Sequence, residues 1–324
     1  MKNILVTGGS GFIGSYLVRN LISKGFNVLN IDKLSPVSQK LIIKNKKYKF
    51  LKNDLRDTKK LKKIILNLKP SFIINCYAES HVDRSILNPN YFIENNIIGT
   101  ANILEIIKNT NIRFLQVSTD EVFGSLDQKE KKFVEKSSYD PRSPYSASKA
   151  ACDHLVRSFG ETYGINYVIT NCSNNYGPFQ FPEKLIPVII KNCILKKPIP
   201  IYGNGKNIRD WIFVEDHVRG IIKVLFYGKK SNTYLIGSNN EISNIDLAKM
   251  ICQIYDKIIV NQNSKKLIKF VKDRKGHDFR YAINSNKIRN ELKWKPEVLF
   301  RDGLKETIKF YSKNFHKLYK IFPY

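Results

Sequence analysis

The sequence predicts an α/β fold, a doubly wound parallel sheet followed by a smaller α/β unit, and three observations carry that reading. Short apolar runs alternate with helical patterns as far as residue 171, a glycine turn joins the first run to the first helix, and the pattern loses regularity from Phe181 onward. Alternation at this spacing implies βαβ units with helices on both faces of the sheet. Right-handed crossovers then bring the C-terminal ends of the strands to one edge, beyond which ligands bind.

The first element is a strand over residues 2–7, followed at once by Gly8-Gly9-Ser10-Gly11-Phe12-Ile13-Gly14 and an amphipathic helix over 16–23 that Gly25 closes. Glycines allow positive φ and close backbone approach to a pyrophosphate, which sits on the free N–H groups at the positive end of the helix. Gly9, Gly11 and Gly14 by themselves are a weak signal. A second strand, 27–31, ends in Asp32 at the distance where an acid meets the adenosine ribose. A carboxylate there favours NAD over NADP, with Lys33 beside it pulling the other way.

Further strands are expected at 48–51, 72–76, 114–118 and 167–171, with helices at 57–67, 91–108 and 145–163 between them. Their ends gather Asp54 and Leu55, Tyr77 to His81, Ser118 to Glu121, and Cys172 to Asn175 at one crevice. Asp54 either accepts from an adenine amino group or caps a helix. His81 either contacts a ligand or serves a backbone carbonyl. The second half reads as helices at 185–195, 215–226, 244–255 and 301–311 with a glycine turn at 202–205.

Tyr145-x-x-x-Lys149 opens the 145–163 helix, so phenol and ammonium share a face. An ammonium beside a phenol is expected to lower its pKa from about 10, fitting it to take a proton from a sugar hydroxyl as hydride leaves the same carbon. Tyr and Lys at this spacing are common on any amphipathic helix. Asp120 and Glu121 add what redox chemistry lacks: Glu121 lies 24 positions before Tyr145, and the pair supplies a separate acid and base. A proton and a hydroxyl would then leave, as in a dehydratase. If both acids were simply solvated, that reading would fail.

Composition limits the field. With 324 residues and 42% hydrophobic content the chain can bury a large core as one large or two fused domains. It has no run of 18 apolar residues and no signal-peptide pattern, which leads to the expectation of a soluble cytoplasmic protein without membrane partners. Five cysteines stand apart with no Cys-x-x-Cys and no Cys/His cluster, so neither a disulfide framework nor a metal site is indicated. The net charge of +27 is spread as lysine through nearly every segment, and its denser stretches lack interleaved aromatics. This favours a compositional habit over specific nucleic-acid binding, with weak attachment to polyanions at low salt.

Several segments closely resemble the nucleoside-diphosphate-glucose 4,6-dehydratases of the extended short-chain dehydrogenase/reductase superfamily. They are Thr7 to Gly14, Glu79 to Ser85, Ser118-Thr119-Asp120-Glu121-Val122-Phe123-Gly124, Pro144 to Lys149, Asn171 to Pro178 and Ile208-Arg209-Asp210-Trp211. The resemblance implies a Rossmann-type NAD-binding domain over 1–172 and a mainly sugar-nucleotide-binding domain over 173–324, with some segments returning to the first sheet. It implies conversion of an NDP-glucose to the 4-keto-6-deoxy sugar in deoxysugar (rhamnose-type) biosynthesis, by a homodimer.

By the same resemblance Tyr145, assisted by Lys149, deprotonates the 4-hydroxyl, Thr119 hydrogen-bonds the 4-oxygen, Glu121 takes the carbon-5 proton and Asp120 protonates the departing 6-hydroxyl. The cofactor would meet Gly8, Gly11, Phe12, Ile13, Gly14, Asp32, Lys33, Asp54, Leu55, Tyr77, Ala78, Ser80, Asn95, Ser118, Tyr145, Lys149 and Asn175. The substrate would meet Ser80, His81, Thr119, Asn174, Lys184, Leu185, Pro200, Tyr202, Arg209, Asn244, Arg274 and His277, with Lys184 and Arg274 otherwise ordinary surface charge.

The chain departs from the family pattern at Ser35-Pro36-Val37-Ser38, where many members have Thr-Tyr-Ala-Gly, at Lys275, at Tyr77, and in a short loop between Glu121 and Tyr145. dTDP-glucose and UDP-glucose both remain open as substrate. Two rivals stand beside the dehydratase: a sugar-nucleotide epimerase or decarboxylase, in which Asp120 and Glu121 would be idle, and an NAD-sensing nucleic-acid-binding protein, which has no need of Tyr145, Lys149 and the acid pair together.

Overall fold

The computed structural model describes residues 2–35, 38, 41, 43–259 and 262–321, with the backbone alone given for 316–321. The chain begins with β1 (Asn3–Thr7), α1 (Phe12–Ser23), β2 (Asn27–Asp32), β3 (Tyr48–Lys52), α2 (Thr58–Leu68) and β4 (Phe72–Asn75). Two short helices, α3 (Val82–Leu87) and α4 (Pro89–Phe92), lead through a π-helical turn, Ile93–Ile98, into α5 (Gly99–Ile107), β5 (Arg113–Thr119), α6 (Pro144–Tyr163) and β6 (Tyr167–Cys172). Then come β7 (Asn174–Tyr176), α7 (Leu185–Leu195), β8 (Ile199–Tyr202), β9 (Ile208–Phe213), α8 (Val214–Tyr227), β10 (Asn232–Ile236) and β11 (Glu241–Ser243). The last elements are α9 (Asn244–Ile258), β12 (Ile268–Val271), α10 (Asn286–Leu292) and α11 (Phe300–Ile321). Of the divergent loop after Asp32, Pro36 and Val37 lie outside the described residues.

Seven strands form one parallel sheet in the order β10-β6-β5-β4-β1-β2-β3. This is the Rossmann order with one strand added beside β6, and its direction of growth reverses between β1 and β4. The central strands are apolar on both faces because helices cover both. Alternate residues of β1 divide accordingly: Ile4 and Val6 pack with Leu17, Leu21, Ile221 and Leu225 from α1 and α8, whereas Leu5 packs with Leu61, Ile65, Ile103 and Leu104 from α2 and α5. A separate core joins α7, α9 and α11 to the small sheets β11-β9-β7 and β12-β8. It also brings Cys193 and Cys252, 59 positions apart, to 4.0 Å between sulfurs.

Several expectations need correction. α1 begins at Phe12 rather than residue 16, since Gly11 already has the extended backbone of a cap. The helix expected over 91–108 is interrupted by the π turn. There Asn95 Nδ2 donates to the carbonyl of Tyr91 at 2.6 Å, competing for an acceptor that a regular helix would use. Asp57, not Asp54, caps α2, accepting from the Lys60 N–H at 3.1 Å. The positions of the six strands from β7 to β12 were not read from the sequence: they run from three to six residues, and β10 is held by pairing with β6, Asn232 opposite Val168. No helix among the described residues is long and apolar enough to cross a membrane.

Candidate active site

The ends of β1, β4, β5 and β6 open on a cleft of about 440 Å³ whose far wall comes from the second core. The floor at β1 is the glycine turn. An ideal Cβ on Gly14 would lie 2.2 Å from the Gly8 carbonyl oxygen and 2.7 Å from Gly9 Cα, so backbone rather than a movable side chain forbids it. The first turn of α1 has no side-chain cap at Gly11, which leaves N–H groups free for an anion. This cradle fits a dinucleotide pyrophosphate. Gly14→Ala should therefore cost about 1–3 kcal/mol of stability from overpacking. It should also yield protein without bound dinucleotide, read as a lowered Tm and a lowered 260/280 nm absorbance ratio; an unchanged ratio would disprove the cradle.

Tyr145 and Lys149 enter the cleft from the first two turns of α6. A reciprocal cap fixes that start: Ser143 Oγ accepts from the Ser146 N–H at 3.1 Å, and Ser146 Oγ accepts from the Ser143 N–H at 3.0 Å, with Pro144 at the first position. Lys149 is buried and donates to the Val117 carbonyl at 2.8 Å. The expected lowering of the Tyr145 pKa is not found. Burial, followed by the negative charge of Glu121, raises the phenol well above its ordinary value, against the weaker opposing hydrogen bonding of Thr119. The carboxylate faces the phenol, while the ammonium is bound to a strand carbonyl.

Asp120 and Glu121 begin a single 3-10 turn immediately after β5. Thr119 stabilises that turn, its Oγ1 accepting from the Glu121 N–H at 3.3 Å. Their surroundings differ. Asp120 is 1% exposed, its Oδ2 has no hydrogen-bond partner, and burial with the neighbouring charges of Glu121 and Asp210 raises its pKa well above the usual carboxylate range. Burial also raises Glu121, but Arg274, Lys184 and Arg209 all oppose it. The pair is thereby split, with Asp120 the one that holds its proton.

The opposite wall carries those cations. Lys184 donates to the Ser80 carbonyl at 2.8 Å, and burial lowers its pKa. Arg209 donates to the carbonyls of Ile208, Phe279 and Asp278 at 2.7, 3.2 and 2.9 Å and lies 4.1 Å from the ring centre of Tyr281. Arg274 has a buried Nε without a partner. His277 Nδ1 is 2.6 Å from Asp273 Oδ1. Converging cations of this kind suit a diphosphate. His81 lines the cleft, and in place of the backbone carbonyl weighed for it in the sequence it serves a backbone N–H. Its Nδ1 accepts from the Arg84 N–H at 3.3 Å, and burial with Lys184 and Arg84 nearby pushes its pKa down to about 4.

The cleft brings together all five residues expected to do chemistry and all twelve expected to meet substrate. Of those expected to meet cofactor, Gly8, Gly11, Phe12, Ile13, Gly14, Ala78, Ser80, Ser118 and Asn175 line it as well. Asp32, Lys33, Asp54, Leu55, Tyr77 and Asn95 do not. Asp32, at the end of β2, accepts from the N–H groups of Ser10 and Leu34 at 3.0 and 2.8 Å. Lys33 turns into a cage, bonded to Glu79, Tyr91 Oη and Asn95 Oδ1 at 2.8, 2.9 and 2.6 Å. Asp54 is engaged by the Arg56 guanidinium at 2.8 Å. Sequence reasoning missed Gln180, Glu183, Trp211 and Tyr281 as lining residues. Trp211 stood inside a quoted motif, while Tyr281 carried no local signal.

Comparison with known proteins agrees with this geometry. The family described as GDP-mannose 4,6 dehydratase matches residues 5–307. The dTDP-glucose 4,6-dehydratase of Haemophilus influenzae is 45% identical, over 97% of this chain and 99% of the relative. The crystal structure of dTDP-glucose 4,6-dehydratase from Streptomyces venezuelae, solved with NAD bound, superposes with a TM-score of 0.93 at 37% identity, covering 98% of this chain and 99% of that one. A UDP-glucose 4-epimerase from Thermotoga maritima gives 0.88 at 27% identity, covering 97% and 99%.

Proposed function

The chain belongs to the GDP-mannose 4,6 dehydratase family, and from that premise we propose that it acts on dTDP-glucose through the residues gathered in the cleft. It is an NAD-dependent hydro-lyase that converts an NDP-glucose to the NDP-4-keto-6-deoxyglucose and water. The observation that carries the assignment is the split acid pair beside Tyr145: Asp120 is buried with its pKa raised by burial and two carboxylates, while three cations oppose the rise at Glu121. An epimerase of the same fold needs Tyr145 and Lys149 but has no use for two carboxyl groups held in opposite protonation states.

When bound, NAD would supply the hydride acceptor for carbon 4 of the sugar and the hydride donor for carbon 6. The glycine turn and the free N–H groups of α1 would hold its pyrophosphate, and Asp32 its adenosine ribose. The Lys33 charge is matched by Glu79, so it offers little to a 2′-phosphate. Tyr145, in its phenolate form, receives the proton of the 4-hydroxyl, and Thr119 donates to the 4-oxygen. The ketone at carbon 4 makes the carbon-5 proton acidic; Glu121 removes it. Asp120 gives its proton to the 6-hydroxyl, whose C–O bond breaks as water leaves. Glu121 then returns its proton to carbon 5, and the proton gained by Tyr145 balances the one lost by Asp120. Lys184, Arg209 and Arg274 would hold the diphosphate.

We further assign residues 1–172 chiefly to the cofactor and the remainder mainly to the sugar nucleotide, in a homodimeric cytoplasmic enzyme. Turnover with dTDP-glucose and with UDP-glucose, followed by the alkali-induced absorbance of a 4-keto-6-deoxy sugar, tests the function. Absence of product with both would refute it, and faster turnover of UDP-glucose would correct the nucleotide.

The pH dependence follows from the same split. Glu121 must be ionised and Asp120 protonated, so the rate should rise as pH passes the Glu121 pKa and fall as it passes the higher Asp120 pKa. Asp120→Asn should slow water loss by about 10²-fold while oxidation at carbon 4 persists. Because the folded pKa of Asp120 is raised, the stability this group contributes is fully present below its unfolded value of 3.8 and is lost as pH climbs from there through the raised folded value. The amide has no such loss, so Asp120→Asn should melt higher than wild type at neutral pH. Equal melting temperatures across pH 4–8 would contradict the buried acid.

A further inference from the structure

We propose that His217 is a positioning residue for the cofactor end of the cleft, its Nδ1–H holding the side-chain amide of Asn175 in one orientation. The proposal rests on the assignment of Asn175 to the cofactor. Asn175 lies in β7 opposite Ile212 of β9, and α8 starts just after β9, which brings His217 beneath the cleft wall. His217 is fully enclosed, with its Nδ1 2.9 Å from Asn175 Oδ1.

The surrounding bonds settle which atom donates. Asn175 Nδ2 donates to the Ser173 carbonyl at 3.0 Å and toward Cys172 Sγ at 3.4 Å. Rotating the amide by half a turn would set its oxygen against the Ser173 carbonyl, acceptor against acceptor, so the oxygen belongs at His217. An amide oxygen carries no proton, and Nδ1 must therefore be the protonated ring nitrogen. Nε2 is then a bare lone pair, and it is buried without a partner. Burial pushes the ring pKa down to about 3, which keeps the imidazole neutral.

A leucine or phenylalanine would fill this space without burying an unpaired acceptor. What the imidazole contributes is the single N–H toward Asn175. Asn175 Oδ1 has two lone pairs; His217 takes one and leaves the other for an N–H donor in the cleft, such as a primary carboxamide. Without His217 the amide is anchored only from its nitrogen side.

The test is exchange of bound NAD in the purified holoenzyme against excess labelled NAD. His217→Leu should speed exchange about tenfold, the loss of roughly one hydrogen bond. His217→Asn, whose amide N–H reaches close to the place of Nδ1–H, should recover most of the wild-type rate. Since His217 acts through Asn175, the His217→Leu/Asn175→Ala double variant should exchange no faster than Asn175→Ala alone. Wild-type exchange in His217→Leu, additive effects in the double variant, or failure of His217→Asn to recover would each overturn the proposal. A folded wild-type protein that holds no NAD would instead refute the cofactor reading on which it stands.

Discussion

Glu121→Gln should lower kcat by about 10³-fold and abolish exchange of the carbon-5 proton with solvent. The amide keeps the shape of the side chain but has no lone pair basic enough to take a carbon-bound proton. Oxidation at carbon 4 precedes that step, so a quenched single turnover in deuterium oxide should contain a 4-keto sugar that retains both its 6-hydroxyl and its original carbon-5 hydrogen. Substrate binding should change little, since Lys184, Arg209 and Arg274 remain; losing the Glu121 charge frees them for phosphate. If deuterium still entered carbon 5 at the wild-type rate, another group would be the base. The acid pair would then be no more than buried polar structure.

Tyr145→Phe should cost about as much, roughly 10³-fold in kcat, but at the earlier step. Phenylalanine keeps the packing of this ring against Phe92, whose centroid lies 6.4 Å away, so the fold should survive. It removes the acceptor for the 4-hydroxyl proton. The quenched turnover should then contain unreacted sugar with no 4-keto species, which distinguishes it from the Glu121 variant. A 4-keto sugar formed at the normal rate would transfer the base role elsewhere in the cleft. Burial and the Glu121 charge both disfavour the phenolate, so the phenol must give up its own proton before it can take the one on the 4-hydroxyl.

Much of the sheet was legible because each central strand is an apolar run closed by glycine or polar residues and followed by a helical pattern. Those signals are local. The Tyr145/Lys149 pair was legible for the same reason, since helix periodicity fixes a shared face within four residues. The effect of Lys149 on Tyr145 was misread because the destination of an ammonium depends on what packs beside it, here the Val117 carbonyl of β5. The π turn was hidden because it depends on Asn95 and Asn96, whose amides reach Tyr91, Glu79 and Ser148 rather than helix neighbours alone.

Sequence by itself determined where the first six strands lie along the chain, the glycine cradle, the adjacent acids and the tyrosine and lysine one helical turn apart, all properties of residues within a few positions of one another. Only the tertiary structure decided which acid keeps its proton, where Lys33 and Lys149 spend their charge, and that His217 lies under Asn175. Ionisation depends on burial and on the charges of distant segments. Arg209 and Arg274 reach Glu121 only after the chain has crossed to the second core and returned its side chains to the same cleft.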